Sequence, residues 1–443
     1  MSVTGQAPKQ APKQAPKQAG QQVELQAGFL GWWAGVRRSL ERPLTSYYLL
    51  LGASTMLLAI GLMMVLSASS VYSYREHNGN SYFIFFKQLT WVAIGLPAAW
   101  VASRMNRRFL RLMAWPSVAL AAVLLILTQT SLGFAVNGNR NWLNLGGLTV
   151  QPSEIAKLAI ILWAADVYAR KEKLLANPVH ALVPVAPVVG LVSLLVVLQH
   201  DLGTALVLFA ILVGLLWVVG VPARLFGIVI SLVGVVAFYL AASNAERRGR
   251  LTSFIDPFAD FQGAGWQAGH GLLGMASGGI LGKGLSASQQ KWGSLPEAHT
   301  DFIFAVLGEE LGLVGTLLVI VLFGAIAYAA ARLAINTEDR FVRYFTAGVM
   351  IWLMSQMIIN IGMVLALLPV IGIPLPLLSY GGSALVPSLV ALGMLVGFAR
   401  SEPEAAAALR DRRGERKRGR ANGRARGAFP GAVSAGSARS RRE

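Results

Sequence analysis

The sequence predicts an all-α, polytopic membrane protein with about ten transmembrane helices and both termini in the cytoplasm. Of its 443 residues, 55% are hydrophobic and only 14% are charged, and the mean hydropathy is +0.56. A soluble domain could not bury so much apolar surface. The apolar residues also fall in separate stretches of about 20, which is the length of helix that crosses the hydrocarbon core of a bilayer.

Residues 1–46 are predicted to form a disordered cytoplasmic tail before the first span. The repeat QAPKQAPKQAPKQ lacks the large apolar residues that a packed core requires. Phe29, Trp33, Val36 and Leu40 then share one helical face, which indicates a short helix lying in the membrane interface. A plain linker is the alternative.

Residues 47–400 are predicted to form one transmembrane domain. Its spans are expected near 47–69, 83–103, 110–131, 153–171, 180–199, 202–220, 225–242, 302–331, 344–368 and 386–400. Only Gln199, His200 and Asp201 separate the fifth span from the sixth, and Asp201 is expected to cap the new helix. The longest connection, 243–300, is predicted to be a large outer loop.

The distribution of Lys and Arg predicts which connections face the cytoplasm. Four connections are basic: 104–111, 169–177, 221–225 and 331–343. All four lie in the cytoplasm if the N-terminus does. Of the outer connections, 70–82 contains one Arg and no Lys, and 369–385 contains neither residue. This distribution follows the positive-inside rule. The outer loop 243–300 is basic as well, but long loops cross a membrane regardless of their charge. Its cations suit an anionic substrate, or they are simply solvated.

Residues 401–443 are predicted to be a basic, disordered cytoplasmic tail. The net charge of +18 lies largely in the two tails, beside membrane helices, where basic residues usually face anionic lipid headgroups. We therefore expect anionic lipid or an acidic protein as the partner of this tail, and no nucleic acid. The chain has no cysteine, which excludes disulfides and thiolate metal sites.

Asp301 stands where a polar loop meets an apolar helix. A carboxylate at the boundary between water and hydrocarbon is costly, so a function is expected for it. It could cap the following helix by accepting hydrogen bonds from free amide groups. It could also act as a general base, and the two roles do not exclude each other.

Other polar residues fall inside the predicted spans. Glu154 and Lys157 have i,i+3 spacing, so they are expected to pair, and an orienting ion pair is favoured over direct contact with a substrate. Glu309 lies deeper on the helix that follows Asp301 and requires a buried partner. Gln356 and Asn360 have i,i+4 spacing, which favours hydrogen bonds between helices.

The segment 369–382, PVIGIPLPLLSYGG, is apolar but dense in Pro and Gly. It cannot remain a regular helix. Non-helical backbone at membrane depth persists only when it is packed within protein or lines a wet cavity. The segment is therefore predicted to form a wall of a cavity that opens to the outside.

Five motifs in this order resemble those of the SEDS family, and the resemblance covers about residues 45–400. The motifs are NGNRNWLNLGG (137–147), QPSEIAK (151–157), QHDLGTA (199–205), LPEAHTDFIFAVLGEELG (295–312) and NIGMVLALLPVIGIPLPLLSYGGSAL (360–385). Two departures are visible: Asn141 stands where the family often has Arg before Trp, and Ile371 stands where it often has Thr. Arg140 is then the nearby cation.

The resemblance implies a helical bundle of the GT-C type that acts as a peptidoglycan glycosyltransferase. Such an enzyme joins lipid II units into glycan strands with inversion, at the outer face of the bacterial plasma membrane and at the division septum. The family's proposed catalytic residue matches Asp301. The implied partners are lipid II, a class b penicillin-binding protein with transpeptidase activity, and other division proteins.

The residues expected to support this chemistry surround Asp301 in sequence or lie in the other motifs. The departing diphosphate needs a cation, which Arg140, Lys283, Lys291 or a divalent metal ion could supply. Metal ligands are not assigned. The remaining candidates are Glu154, Lys157, Glu297, His299, Gln356, Asn360, Ser379, Gly381 and Gly382.

Three other functions are compatible with the sequence. A lipid II transporter would also use broken helices and charged groups within the membrane, although it would spread polar groups through the whole depth. A scaffold that only recruits division proteins would not need the carboxylate at the interface. An elongation-type polymerase would share the same chemistry.

Overall fold

The computed structural model describes residues 42–136, 138–146, 148–242, 248–249 and 253–411. The helix predicted within 29–40, the repeat before it and most of the basic C-terminal tail lie outside these ranges. The chain divides into a short unit, Met1–Thr45, and a large unit, Ser46–Glu443, and the helical bundle belongs to the large unit.

Helices dominate the described residues, as the composition predicts. The α-helices are α1 Thr45–Glu76, α2 Phe83–Ala102, α3 Arg107–Leu112, α4 Ala114–Leu127, α5 Pro152–Lys171, α6 Pro178–Leu182, α7 Val185–Leu198, α8 Leu202–Val219, α9 Ala223–Ala242, α10 Trp266–Gly278, α11 Ile303–Asn336, α12 Arg340–Val364 and α13 Gly382–Ser401. Single 3-10 turns cover Glu172–Leu174 and Gln290–Trp292. The predicted outer loop 243–300 therefore contains helical structure of its own.

Within the described ranges, eight helices are long and apolar enough to cross a membrane. Two of the predicted spans are not among them. The stretch 110–131 is divided between α3 and the 14-residue helix α4. The stretch 153–171 forms α5, whose charged residues lower its hydropathy. The number of spans thus stays a prediction.

Helix α5 lies inside the bundle, although it is the most polar of the long helices. Pro152 occupies its first turn, where a missing amide hydrogen costs nothing. Trp163 and Tyr168 are fully buried along it, and it packs against α4, α12 and α13. The surrounding helices bury Glu154, Lys157 and Asp166, so α5 does not need an apolar surface of its own.

Helix α11 is broken at Gly312, which has φ 66° and ψ −162°. The break frees backbone groups on both sides, and the segment 279–284 inserts its backbone there. The four N–H···O=C bonds, 2.9–3.2 Å long, run from Lys283 to Glu309, Gly284 to Glu310, Leu313 to Gly279 and Val314 to Ile280. The N–H and C=O groups of the irregular backbone at this position therefore find hydrogen-bond partners within the protein, as membrane proteins require.

The segment 133–150 folds as a three-stranded antiparallel sheet that the sequence analysis did not predict. Its strands are β1 Gly133–Val136, β2 Asn139–Leu145 and β3 Leu148–Val150. Trp142 pairs with Phe134, and Leu143 pairs with Val150. Gly146, with φ 64°, follows β2 and allows the tight reversal to β3.

The two ends of the bundle differ in charge. At one end the side chains of Arg111 and Arg170 both reach the buried Asp166, each at 2.7 Å, and Arg107 pairs with Asp339 at 3.1 Å. The three arginines and Asp339 come from the predicted cytoplasmic connections, and Asp166 lies near the end of the adjoining helix α5. The opposite end, where α5, α8, α11 and α13 begin, is called the site end below.

Candidate active site

A cavity of about 900 Å³ lies at the site end. Its wall combines the sheet, the first turns of α5 and α8, the loop before α11 and the start of α13. Its polar lining residues include Asn139, Asn141, Gln151, Glu154, His200, Asp201, Thr204, Gln267, Glu297, His299, Thr300, Asp301, Gln356, Tyr380 and Ser383. Residues 369–374 also line it, which confirms the prediction that the Pro-rich segment forms a cavity wall.

Asp301 lies on this wall and is partly exposed. The N-cap position of α11 is occupied by Phe302, one residue later, whose side chain makes no capping hydrogen bond. A capping role for Asp301 stays a prediction. Gly372 of the Pro-rich segment approaches the carboxylate closely: a Cβ built on it would lie 3.2 Å from Asp301 Oδ2. Gly372 also has φ 75°, a conformation that side chains other than glycine disfavour.

His299 and Glu297 precede Asp301 on the same loop, and both line the cavity. The His299 ring lies between Tyr72, 5.2 Å away, and Tyr380, 5.5 Å away between ring centroids. Burial lowers the pKa of His299 below its ordinary value, and the nearby Glu297 carboxylate opposes part of this effect. The imidazole beside Asp301 is therefore held in its neutral form at neutral pH.

Asp201 joins three parts of the cavity wall. It is the N-cap of α8 and accepts a hydrogen bond from the Thr204 amide at 2.9 Å, which confirms the predicted cap. Its Oδ2 also accepts bonds from Asn141 of β2 at 3.1 Å and from Gln151, just before α5, at 2.9 Å. Gln151 was not among the predicted site residues, although a polar residue directly before the helix-starting Pro152 marks the rim of a span.

Glu154 and Lys157 form the predicted ion pair, with 2.8 Å between Lys157 Nζ and Glu154 Oε1. Both side chains are buried, at 2% and 1% exposure. The ammonium group also lies 5.5 Å from the centre of the Trp352 ring, a cation–π contact that further compensates its burial. Glu154 contributes to the cavity wall, so the pair stands directly behind the site.

Lys283 and Lys291 are placed away from the cavity, against carboxylates of α11. Lys283 Nζ lies 2.9 Å from Glu309, and Lys291 Nζ lies 3.2 Å from Glu310. Both carboxylates have 0% exposure, and a buried carboxylate requires such a partner. The buried partner predicted for Glu309 is thus Lys283, and neither lysine is positioned at the cavity wall to meet a substrate.

The remaining candidates divide between the wall and the packing behind it. Arg140 is exposed and donates to the carbonyl of Thr130 at 2.8 Å, next to lining residues of β2. Gln356 and Gly381 line the cavity. Gly382 packs so closely on the Trp91 ring that a Cβ there would overlap it, which makes its role steric.

Asn360 and Ser379 are buried and lie directly behind the Asp301 loop. Among the described residues, no group of three or more His, Asp or Glu side chains is arranged to hold a metal ion. The divalent ion considered in the sequence analysis therefore has no binding residues that can be named here.

Comparisons with known proteins identify the family of the chain. The family model described as "Cell cycle protein", which covers FtsW, RodA and SpoVE, matches residues 48–404. The chain is 41% identical over 372 residues to the probable peptidoglycan glycosyltransferase FtsW of Mycobacterium tuberculosis, covering 84% of this chain and 71% of the relative. It is 35% identical over 356 residues to the stage V sporulation protein E of Bacillus subtilis, and the match covers 80% of this chain and 96% of the relative.

Two solved structures have a similar fold. One belongs to a study of how a peptidoglycan synthase complex coordinates polymerisation and crosslinking, with a TM-score of 0.62, 28% identity, and 79% of this chain and 96% of that chain covered. The other is the rod shape determining protein RodA of Thermus thermophilus, with a TM-score of 0.57, 29% identity, and 80% and 97% covered.

Proposed function

This chain belongs to the FtsW, RodA and SpoVE family of cell cycle proteins, and from that premise we propose that it is a peptidoglycan glycosyltransferase of cell division with Asp301 as its catalytic base. The substrate would be lipid II, whose disaccharide is joined to a growing glycan strand. The observation that supports this role is the position of Asp301 on the wall of a cavity large enough for a sugar unit.

The proposed reaction is a single displacement with inversion at the donor sugar. The acceptor hydroxyl attacks the anomeric carbon, the bond to the undecaprenyl diphosphate breaks, and Asp301 takes the proton of the attacking hydroxyl. General-base catalysis requires a carboxylate within hydrogen-bond distance of that hydroxyl. Asp301 is partly exposed to the cavity, so a hydroxyl that enters the cavity can reach it.

The departing diphosphate requires a positive charge nearby. Of the three cations considered in the sequence, Lys283 and Lys291 are bound to buried carboxylates. Arg140 is exposed, and its sequence neighbours Asn139 and Asn141 line the cavity. We therefore assign Arg140 to the diphosphate, where its guanidinium group could bind two phosphate oxygens at once.

The membrane supplies the substrate in this proposal. The protein spans the membrane several times, and the cavity lies at one end of the bundle, opposite the arginine-rich end. With the basic end in the cytoplasm, the site end faces outward at the depth of lipid headgroups. A sugar still attached to its prenyl chain can then reach Asp301 without leaving the bilayer.

The proposed partner is a class b penicillin-binding protein that crosslinks the new strand. Its involvement is supported by the similarity to a protein from a peptidoglycan synthase complex. Polymerisation and crosslinking would then occur on the same side of the membrane and at the division septum.

The experiment is lipid II polymerisation by the purified protein together with its transpeptidase, with product length read on a gel. Asp301→Asn is expected to lower turnover by about 100-fold or more while the protein remains folded. Asp256→Asn, an exposed aspartate of the outer loop, is the matched control and should polymerise normally. Normal glycan synthesis by Asp301→Asn would exclude Asp301 as the base.

A further inference from the structure

Three consecutive backbone carbonyls hold the loop that carries Asp301. The His299 carbonyl accepts a bond from the Tyr380 amide at 2.9 Å. The Thr300 carbonyl accepts one from Ser379 Oγ at 2.7 Å, and the Asp301 carbonyl accepts one from Asn360 Nδ2 at 2.8 Å. The loop is therefore attached, residue by residue, to the Pro-rich segment and to α12.

Both side chains in this set are also bound to the Pro-rich segment itself. Ser379 Oγ accepts a hydrogen bond from the Leu375 amide at 2.8 Å, so the hydroxyl is used as donor and as acceptor. Asn360 Nδ2 donates a second bond to the Ile373 carbonyl at 2.7 Å, so its amide nitrogen is used twice. The loop and the Pro-rich segment are thereby joined into one body by residues that follow Gly372 in the chain.

Gln88 of α2 connects this body to the rest of the bundle. Its side-chain nitrogen lies 3.4 Å from the Ser379 carbonyl, and its side-chain oxygen lies 3.3 Å from the Gly381 amide. The side chain is 2% exposed. The sequence analysis did not single out Gln88, because one glutamine in an apolar span has no local partner that reveals its role.

Burial separates these side chains from any ligand in the cavity. Asn360 is 0% exposed and Ser379 is 4% exposed, and their donor hydrogens are directed at backbone carbonyls. Neither belongs to the described lining of the large cavity, whereas Thr300 and Asp301 do. The two residues can therefore influence a reaction in the cavity only through the backbone that they hold, which belongs to the Asp301 loop and to the Pro-rich segment.

We propose that Ser379 and Asn360 are positioning residues that fix the Asp301 carboxylate in its reactive place, with Gln88 anchoring them to α2. This inference rests on the proposed function of Asp301 as the base. A displacement of about 1 Å in a reacting group can lower turnover by about 100-fold. These bonds reach the backbone beneath the carboxylate and not a ligand in the cavity, so we expect their loss to lower kcat much more than it changes KM.

The test uses the full-length protein with its transpeptidase and labelled lipid II. Ser379→Ala and Asn360→Asp each remove a donor, and each is expected to lower kcat by about tenfold or more with KM for lipid II within about twofold of the wild type. Ser388→Ala is the matched control: Ser388 is equally buried, but its hydroxyl bonds only to Ala384 within α13. It should retain wild-type kinetics.

A second series separates positioning from a general loss of folding. Ser379→Thr keeps a hydroxyl, Ser379→Cys keeps only a weak donor, and turnover is measured per molecule of monodisperse, folded protein. We expect kcat to follow the order Ser, Thr, Cys, Ala at constant KM. A series in which kcat does not depend on the donor would overturn the inference.

Two kinetic outcomes contradict the inference, and a third concerns the base itself. An increase in KM at unchanged kcat would show that Ser379 or Asn360 binds the substrate directly. Wild-type kcat in Ser379→Ala and Asn360→Asp, with an inactive Asp301→Asn variant, would refute the positioning role but leave the base assignment intact. Full activity of Asp301→Asn would refute both.

Discussion

Asp301 and the pair Glu309–Glu310 belong to the same short stretch of sequence but have opposite surroundings. Asp301 is partly exposed on the wall of a large cavity. Glu309 and Glu310 have 0% exposure, and each is bound to a lysine. The comparison shows that acidic residues of one motif have two kinds of surroundings: the deeper pair is bound to lysines of the outer loop, whereas Asp301 lies on the cavity wall.

The physical basis of this division is the cost of burying charge. A carboxylate removed from water needs an ammonium group and hydrogen bonds in return. Glu310 receives them from Lys291 and from Ser67 Oγ, which lies 2.6 Å from it. Glu309 receives them from Lys283 and from Ser288 Oγ at 2.6 Å. A carboxylate saturated in this way is a poor base, whereas one at a cavity wall can accept a proton from a ligand.

The largest effect on stability is expected from removing Lys291. Lys291→Met would leave Glu310 charged and buried without its ammonium partner, and such a loss costs about 3–5 kcal/mol. Thermal unfolding of the purified variant and of the wild type measures this loss of stability. The double variant Lys291→Met with Glu310→Gln should recover part of the loss, and a fully additive loss would indicate that the two groups do not interact.

The next prediction concerns the ion pair of Glu154 and Lys157. It asks whether this buried pair contributes as much to stability as the lysine pairs of Glu309 and Glu310 on α11. Glu154→Gln and Lys157→Met should each destabilise the protein by about 3 kcal/mol, and the double variant should be less destabilised than the sum. The thermal unfolding midpoints of the wild type, the two single variants and the double variant form a double-mutant cycle that measures the coupling. If the two effects simply add, the pair contributes no coupling energy, and Glu154 is better explained as a residue that contacts substrate.

A smaller effect is expected from Gly372, whose backbone lies close to the Asp301 carboxylate. Gly372→Ala introduces a side chain at φ 75°, 3.2 Å from Asp301 Oδ2. The strained backbone costs about 1–2 kcal/mol, and the new methyl group should shift the carboxylate, so turnover falls more than stability does. Gly52→Ala is the control, because a Cβ at Gly52 meets no atom within 4 Å. Unchanged polymerisation by Gly372→Ala would show that the contact with Asp301 is unimportant.

The smallest effect concerns the pH dependence of stability near Asp301. The pKa of His299 is lower in the folded protein than its ordinary value of 6.5, mainly because of burial. Between these two values the unfolded chain binds a proton that the folded chain does not, so stability falls as the pH decreases below about 6.5 and levels off below the folded pKa. Unfolding at about pH 7.5 and pH 5 measures the difference.

The His299→Asn variant should show a shallower decline than the wild type over the same range. His180→Asn, at the opposite end of the bundle, serves as the control and should retain the wild-type decline. An equally steep decline in His299→Asn would assign the pH dependence to other groups.

Much of the fold was predictable from local patterns. The bounds of α2, α8 and α9 lie within two residues of the predicted spans at most, because each apolar stretch forms one helix between polar ends. The sheet at 133–150 was missed because its polar and aromatic residues were interpreted as a loop. The Gly146-Gly147 pair between two short runs is a recognisable hairpin signal that the interpretation did not use.

The candidate site was only partly predictable, because local patterns reveal contacts between residues that are close in the chain and not contacts between distant ones. The pair of Glu154 and Lys157 and the cap at Asp201 depend on neighbours within one helical turn, and both were expected correctly. The lysines Lys283 and Lys291 were two of the alternatives for the cation beside the diphosphate, whereas in the structure both are paired with carboxylates of α11. Pairing across a long loop leaves no periodic pattern in the sequence.

By itself the sequence determined the membrane character, the positions of most helices and the family motifs, including Asp301 at the boundary of an apolar helix. These properties follow from composition and from contacts between residues that are close in the chain. Only the tertiary structure decided which carboxylates are buried against lysines and which line the cavity. It also decided that Ser379 and Asn360 hold the loop of Asp301, because hydrogen bonds between distant segments exist only once the helices have packed.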